Sequence, residues 1–276
     1  MIKLVGDSSL DTRPIDEQRL PVIKVPFTVN FDDSVWVDTR DVDLDGFVKA
    51  MKASQTFQSA CPSPNDFLEA YRGEDDVFCI TITSKLSGSH NAAELAKSLA
   101  QEEGGNQGEV TVYDSKSASS GPYLIYRKIS DLIDQGLSYQ EIKKLIPEFI
   151  ENMHTMFISK SLENLRKAGR LSNIKAMIVK ALNIVPIMGA RDGVIEMFDK
   201  ARGEKRAFET LLNKMEEKAG DLAGRIVAIS HADYEAKALE LKAKIEQRFK
   251  PDEVVILRTQ ALNTLYVDYE GIIISF

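Results

Sequence analysis

VFCITITSKLSGSHNAAE, residues 77–94, changes character twice, and its reading decides the fold. Val77 to Thr83 is a short apolar run with β-branched members, the pattern of a strand buried on both faces. Ser84, Ser87, Gly88 and Ser89 follow as small loop formers, and residues 91–99 are rich in Ala, Glu, Leu and Lys, which favour helix. The unit is strand, serine-glycine loop, helix. Unpaired N–H groups and a partial positive charge at the helix start suit a carboxylate or phosphate. Ser and Gly are also ordinary capping and turn residues, so this segment alone does not separate a ligand loop from a cap.

Working outward, the same unit recurs. Residues 2–5 form a first strand ending in Asp7-Ser8-Ser9, and residues 109–113 form another ending in the DSKSASS loop of 114–120, before a helix that runs from Pro122 to about Gln135. Alternating strands and helices predict a parallel sheet with helices on both faces. Ligands of such sheets lie outside the carboxyl ends of the strands, where these three serine-rich loops gather. Between the first two units, residues 31–36 read as a hairpin tip, and Pro26 assigns the apolar run that contains it, 22–27, to a sheet edge. Residues 44–53 read as a helix, 56–64 as a loop, and Ser63-Pro64 as the start of another helix. Ser138, three residues before Glu141, carries a capping-box pattern.

Beyond Met153 the texture alters. A brief strand at 155–158 precedes helices at 162–168 and 173–182 and a hairpin around Gly189-Ala190-Arg191-Asp192-Gly193. Helices at 204–218 and 234–249 alternate with strands at 225–230, 252–257 and 271–274. The expected fold class is therefore α/β: a parallel-sheet N-terminal domain, 1–155, plus a smaller α+β C-terminal domain, 156–276, with a mixed sheet.

Composition narrows the function. The chain has 276 residues, 43% hydrophobic and 28% charged, with net charge −7. That balance describes a soluble globular protein and lacks the basic stripe a nucleic acid would require. No apolar run approaches the ~20 residues of a membrane span, so no stable membrane insertion is expected. Two isolated cysteines, Cys61 and Cys79, fit a reducing cytoplasm. Three scattered histidines show no metal-ligand spacing, and the motifs of hydrolases, NTPases and dinucleotide enzymes are absent.

Six segments taken together resemble the DegV family of bacterial fatty acid-binding proteins, which includes the FakB-type partners of fatty acid kinase. They are DSSL (7–10), SACPSP (59–64), ITSKLSG (82–88), DSKSAS (114–119), LENLRKAGRLS (162–172) and KARG (200–203). HAD at 231–233 resembles a turn of the same family. The resemblance implies no enzyme and no cofactor, but a C14 to C18 fatty acid held between two domains. Carried onto this chain, it implies carboxylate anchors at Ser59 and Ser87, with Gly88 and Ser119 in the adjoining loops. Arg170 and Arg202 match arginines that serve a separate kinase, and His231 matches the turn. The chain departs from the family at 265–271, where LYVDYEG stands in place of a His-Gly-Pro-Gly-like loop. An acyl tail needs apolar lining, for which Ile174, Met177, Ile178, Leu182, Ile184, Ile187 and Met188 are candidates, with ordinary core as the other reading. The competing function is a phosphotransferase or hydrolase that uses the serine loops on a small phosphorylated metabolite.

Overall fold

The computed structural model describes residues 1–32, 34–103, 108–171 and 183–276. Among these the chain runs β1 (Ile2–Asp7), α1 (Pro14–Arg19), β2 (Val22–Val25), β3 (Thr28–Phe31), β4 (Ser34–Val37), α2 (Leu44–Ala53), β5 (Gln58–Ala60) and α3 (Pro64–Tyr71). It continues through β6 (Asp76–Thr81), α4 (Ser89–Glu103), β7 (Val110–Asp114), α5 (Ser120–Asp134), α6 (Tyr139–Asn152), β8 (Thr155–Ile158) and α7 (Glu163–Lys167). The last elements are β9 (Ile184–Arg191), β10 (Val194–Arg202), α8 (Glu204–Ala219), β11 (Ile226–His231), α9 (Glu235–Phe249), β12 (Glu253–Arg258), α10 (Ala261–Val267) and β13 (Ile272–Ser275). The helix expected at 173–182 lies outside the described residues.

The first sheet has the order β2-β1-β6-β7 and is parallel throughout. Strand alternation sends Leu4, Phe78, Ile80 and Tyr113 to one face, against α5 and α6. It sends Val5, Val77, Cys79 and Val112 to the other, against α3 and α4. Because both faces are covered, β6 reads as an unbroken apolar run. The strand order reverses between β1 and β6, so a crevice opens beyond their carboxyl ends.

The second sheet has the order β10-β9-β8-β13-β11-β12, with only β11 and β12 parallel. Met156, Ile158, Ile272 and Ile274 turn toward α8 and α9, while Phe157 and Ile273 turn the other way. The C-terminal part is the shorter in chain yet carries the larger sheet. Helix α5 lies between the two sheets and packs on β6, β11 and β13, which explains why its Tyr123, Leu124, Ile125 and Tyr126 are all buried.

Residues 56–64 differ from the expected loop. Gln58–Ala60 is a strand that completes a small antiparallel sheet, β4-β3-β5, in which Ser59 pairs with Val29. Three residues carry no periodicity of their own, and the partner strand supplies the order.

Candidate functional site

Asp7 ends β1 fully buried and gathers four donors. Its Oδ1 accepts from the Ser9 N–H at 3.1 Å and the Ser9 hydroxyl at 2.5 Å. Its Oδ2 accepts from the Ile82 N–H at 2.9 Å and the Ser89 hydroxyl at 2.6 Å. The carboxylate thus ties both flanks of the 83–88 loop to the first strand. Burial pushes its pKa above the usual carboxylate value, with the serine and backbone donors working against that rise.

The loop so held borders a cavity. Ser59, Cys61, Ser87, Gly88, Arg170 and Tyr266 form one polar group on its wall. They are neighbours: the Ser59 and Tyr266 hydroxyls are 2.6 Å apart, and a Cβ on Gly88 would stand 3.5 Å from the Cys61 sulfur. Arg170 fastens the loop by donating from Nε to the Leu86 carbonyl at 3.1 Å. Phe27, Ile82, Leu86, Phe157, Leu165, Ile195, Leu262, Val267 and Ile273 supply its apolar lining, and Thr83, Lys116, Ser117, Thr155 and Asn263 are its other polar members. At the tip of the β9–β10 hairpin, Gly193 adopts φ +79° and its carbonyl accepts from Thr83 at 3.2 Å, so the second sheet closes on the serine loop.

Proton accounting shows what this wall offers. Ser87 accepts from the Ser89 N–H at 3.2 Å and donates to no described residue, so its proton is available. Ser59 and Tyr266 own two hydroxyl protons and use one between them. Two donors therefore face an apolar space, and no carboxylate or imidazole among the described residues accepts from either serine. A nucleophilic serine needs such a base.

Of the residues nominated from sequence, Ser59, Ser87, Gly88 and Arg170 line the cavity. Ser119, Arg202 and His231 stand away from its wall. Ser119 is buried and spends its proton on Asp11 at 2.5 Å, while its neighbours Ser117 and Ala118 reach the wall. Arg202 ends β10 on the surface. His231 ends β11, where its Nδ1 accepts from the Tyr234 N–H at 3.1 Å, the bond of a turn residue. Burial, first among several influences, lowers its pKa. The first serine-rich loop is also spent internally: Ser9 serves Asp7, and Ser8 accepts from the Phe27 N–H at 3.0 Å.

Among the lining candidates, Ile174, Met177, Ile178 and Leu182 lie outside the described residues. Ile187 belongs to the core under α8, and Met188 packs beside Phe157. The wall residues that went unrecognised include Leu262, Asn263, Tyr266 and Val267 of α10, together with Phe27, Phe157, Leu165, Ile195 and Ile273. Among the described residues no His, Cys, Asp and Glu cluster could hold a metal, and no helix is long and apolar enough to cross a membrane.

The family model described as "Uncharacterised protein, DegV family COG1307" matches residues 1–273. A DegV domain-containing protein of Streptococcus pneumoniae is 35% identical over 278 residues, covering 99% of this chain and 98% of its own. A solved DegV family protein of Ruminococcus gnavus, with vaccenic acid, superposes with a TM-score of 0.95 at 30% identity, covering 100% of this chain and 99% of that one. The fatty acid kinase B3 protein of Streptococcus pneumoniae, loaded with linoleic acid, gives 0.92 at 32% identity, with the same 100% and 99% coverage.

Proposed function

The chain belongs to the DegV family, and we propose that it is a cytoplasmic, non-catalytic carrier that encloses one long-chain fatty acid and presents it to a fatty acid kinase. The acid, of C14 to C18, lies between an N-terminal domain, 1–155, and a C-terminal domain, 156–276. Its carboxylate takes the two surplus hydroxyl protons, one from Ser87 and one from the Ser59–Tyr266 pair, while Arg170 contributes positive charge. That proton surplus beside an apolar cavity is the observation that carries the reading. Vaccenic and linoleic acids in the two structural relatives support the same ligand class.

The energetics agree. A buried anion without donors costs many kcal/mol, whereas each hydrogen bond to it returns about 1.5–3 kcal/mol. Each buried CH₂ adds about 0.8 kcal/mol, so the tail supplies most of the affinity and the serines supply orientation. Tyr266 falls within the stretch where other members carry histidine, and it keeps a hydroxyl donor beside Ser59. Arg202, exposed and outside the cavity, is the arginine a docking kinase would meet.

Protein purified without added lipid is expected to release C14 to C18 acids into an organic extract, identified by mass spectrometry. An empty protein that also takes up neither palmitate nor oleate overturns the proposal. Ser87→Ala removes one of the two donors and is expected to weaken palmitate binding by about 1–3 kcal/mol. Titration of the lipid-stripped proteins measures that loss, and an unchanged affinity would move the carboxylate to a different loop.

A further inference from the structure

We infer that Thr83 is the positioning residue of the head-group site, a role that rests on the fatty acid reading above: through its hydroxyl, the tip of the β9–β10 hairpin sets where the Ser87 donor stands.

Thr83 is buried, and each of its polar groups is committed. Its N–H donates to the Ser117 carbonyl at 2.9 Å, and its carbonyl accepts from the Leu86 N–H at 3.1 Å and the Ser87 N–H at 3.3 Å. Its hydroxyl accepts from the Lys85 N–H at 3.2 Å, two residues on, the local bond by which a threonine templates a turn. Asp114 takes the Ser84 N–H at 3.2 Å, so each N–H from Thr83 to Ser87 has its acceptor. The Gly88 N–H has none among the described residues, and it adjoins the Ser87 hydroxyl, whose proton is also unspent. One residue therefore fixes the curl on which both cavity-lining donors sit.

The remaining bond of Thr83 leaves the loop. Its hydroxyl proton goes to the Gly193 carbonyl at 3.2 Å, on the hairpin that ends the second sheet. The approach is close, since a Cβ on Gly193 would stand 2.1 Å from the Thr83 Oγ1. One oxygen thus accepts within the loop and donates to the hairpin, and turning it to follow a displaced tip withdraws the acceptor from Lys85. Beside it, Lys116 stands 3.9 Å from the exposed Asp192, a surface pair worth little. The buried hydroxyl is the link through which the hairpin's position reaches the serine loop.

A displaced Ser87 costs the carboxylate more than the tail. Hydrogen bonds to an ionised group are roughly twice as strong as neutral ones and weaken steeply off their geometry, whereas burial of CH₂ groups is non-directional.

The test titrates palmitate and hexadecanol, which share a tail length and differ in head group, into lipid-stripped protein. Thr83→Val keeps the side chain's shape without its hydroxyl, and is expected to weaken palmitate about three- to tenfold while leaving hexadecanol within about twofold. Thr83→Ser should restore the wild-type ratio of the two affinities, and Gly193→Ala, which crowds the same hydroxyl from the hairpin side, should lower it. A merely structural role would weaken both ligands alike and leave the ratio unmoved. An unmoved ratio in Thr83→Val, or no restoration in Thr83→Ser, overturns the inference and leaves the fatty acid reading standing. A folded Gly193→Ala protein with the wild-type ratio overturns it equally. A wild type that prefers palmitate to hexadecanol by nothing overturns the carboxylate anchor and this inference together.

Discussion

Asp7→Ala is expected to lower the unfolding free energy by about 4 kcal/mol, read as a shift of the urea midpoint at unchanged slope. The substitution strands four donors that meet on one carboxylate. The Ser9 and Ser89 hydroxyls can rotate toward other acceptors. The Ser9 and Ile82 N–H groups cannot, and each buried orphan costs about 1–3 kcal/mol. Relief of the buried charge offsets part of this, since burial raises the Asp7 pKa. Asp7→Asn should lie between the two proteins, because its amide keeps one oxygen for one N–H while its NH₂ faces the other. A loss below about 1 kcal/mol for Asp7→Ala would show that the 83–88 loop is held by packing alone. Against a typical total of about 5–15 kcal/mol, the expected loss makes a residue that touches no ligand decisive for the site.

Asp7 also marks the limit of what the sequence discloses. The parallel strands were legible because β6, buried on both faces, shows as an apolar run. The Asp192-Gly193 hairpin was legible from its left-handed turn residues, and the α6 start from the Ser138 and Glu141 box, in which the Ser138 N–H donates to the Glu141 carboxylate at 2.8 Å as expected. These signals are local. Helix α10 left none: its first N–H groups are accepted by Asp11 and Asp38, more than 220 positions away in sequence, and its seven residues lack a cap of their own. Tyr266, which it carries, therefore reads in sequence only as a missing histidine. Serine loops were visible as loops, but the direction of each proton was not. Ser119 and Ser87 look alike in sequence, and only burial beside Asp11 turns the first inward. A hydroxyl's role follows from what surplus remains after the buried carboxylates have been served.

Those carboxylates make the protein less stable as pH rises from about 5 to 8. At the start of α10, Asp11 accepts from the Gln260 N–H and the Asn263 amide at 2.8 Å each, and from Ser119. Asp38 accepts from the Ala261 N–H at 2.8 Å and the Leu262 N–H at 3.3 Å. Burial dominates both, lifting Asp11 to about 6 and Asp38 to about 7, with Asp11 adding repulsion at Asp38. Lys24 lowers Asp11, and the Ser8 hydroxyl lowers Asp38, without reversing either rise. Both folded values exceed the unfolded one near ~3.9. The native state therefore binds more protons between about pH 4 and 7, and the unfolding free energy falls across that window. Stability is complete below the unfolded value and is lost as pH passes through the folded ones. For Asp11 alone the shift corresponds to on the order of 3 kcal/mol. Urea midpoints at pH 5.5 and pH 8 measure it, and Asp38→Asn should flatten the difference by removing one titrating group. A wild type equally stable, or more stable, at pH 8 would mean that the N-terminus of α10 stabilises both charges fully, with burial no longer the governing effect. Since α10 carries Leu262 and Tyr266 on the cavity wall, the same measurement repeated with palmitate bound reports whether the helix's anchoring and the lipid's affinity move together.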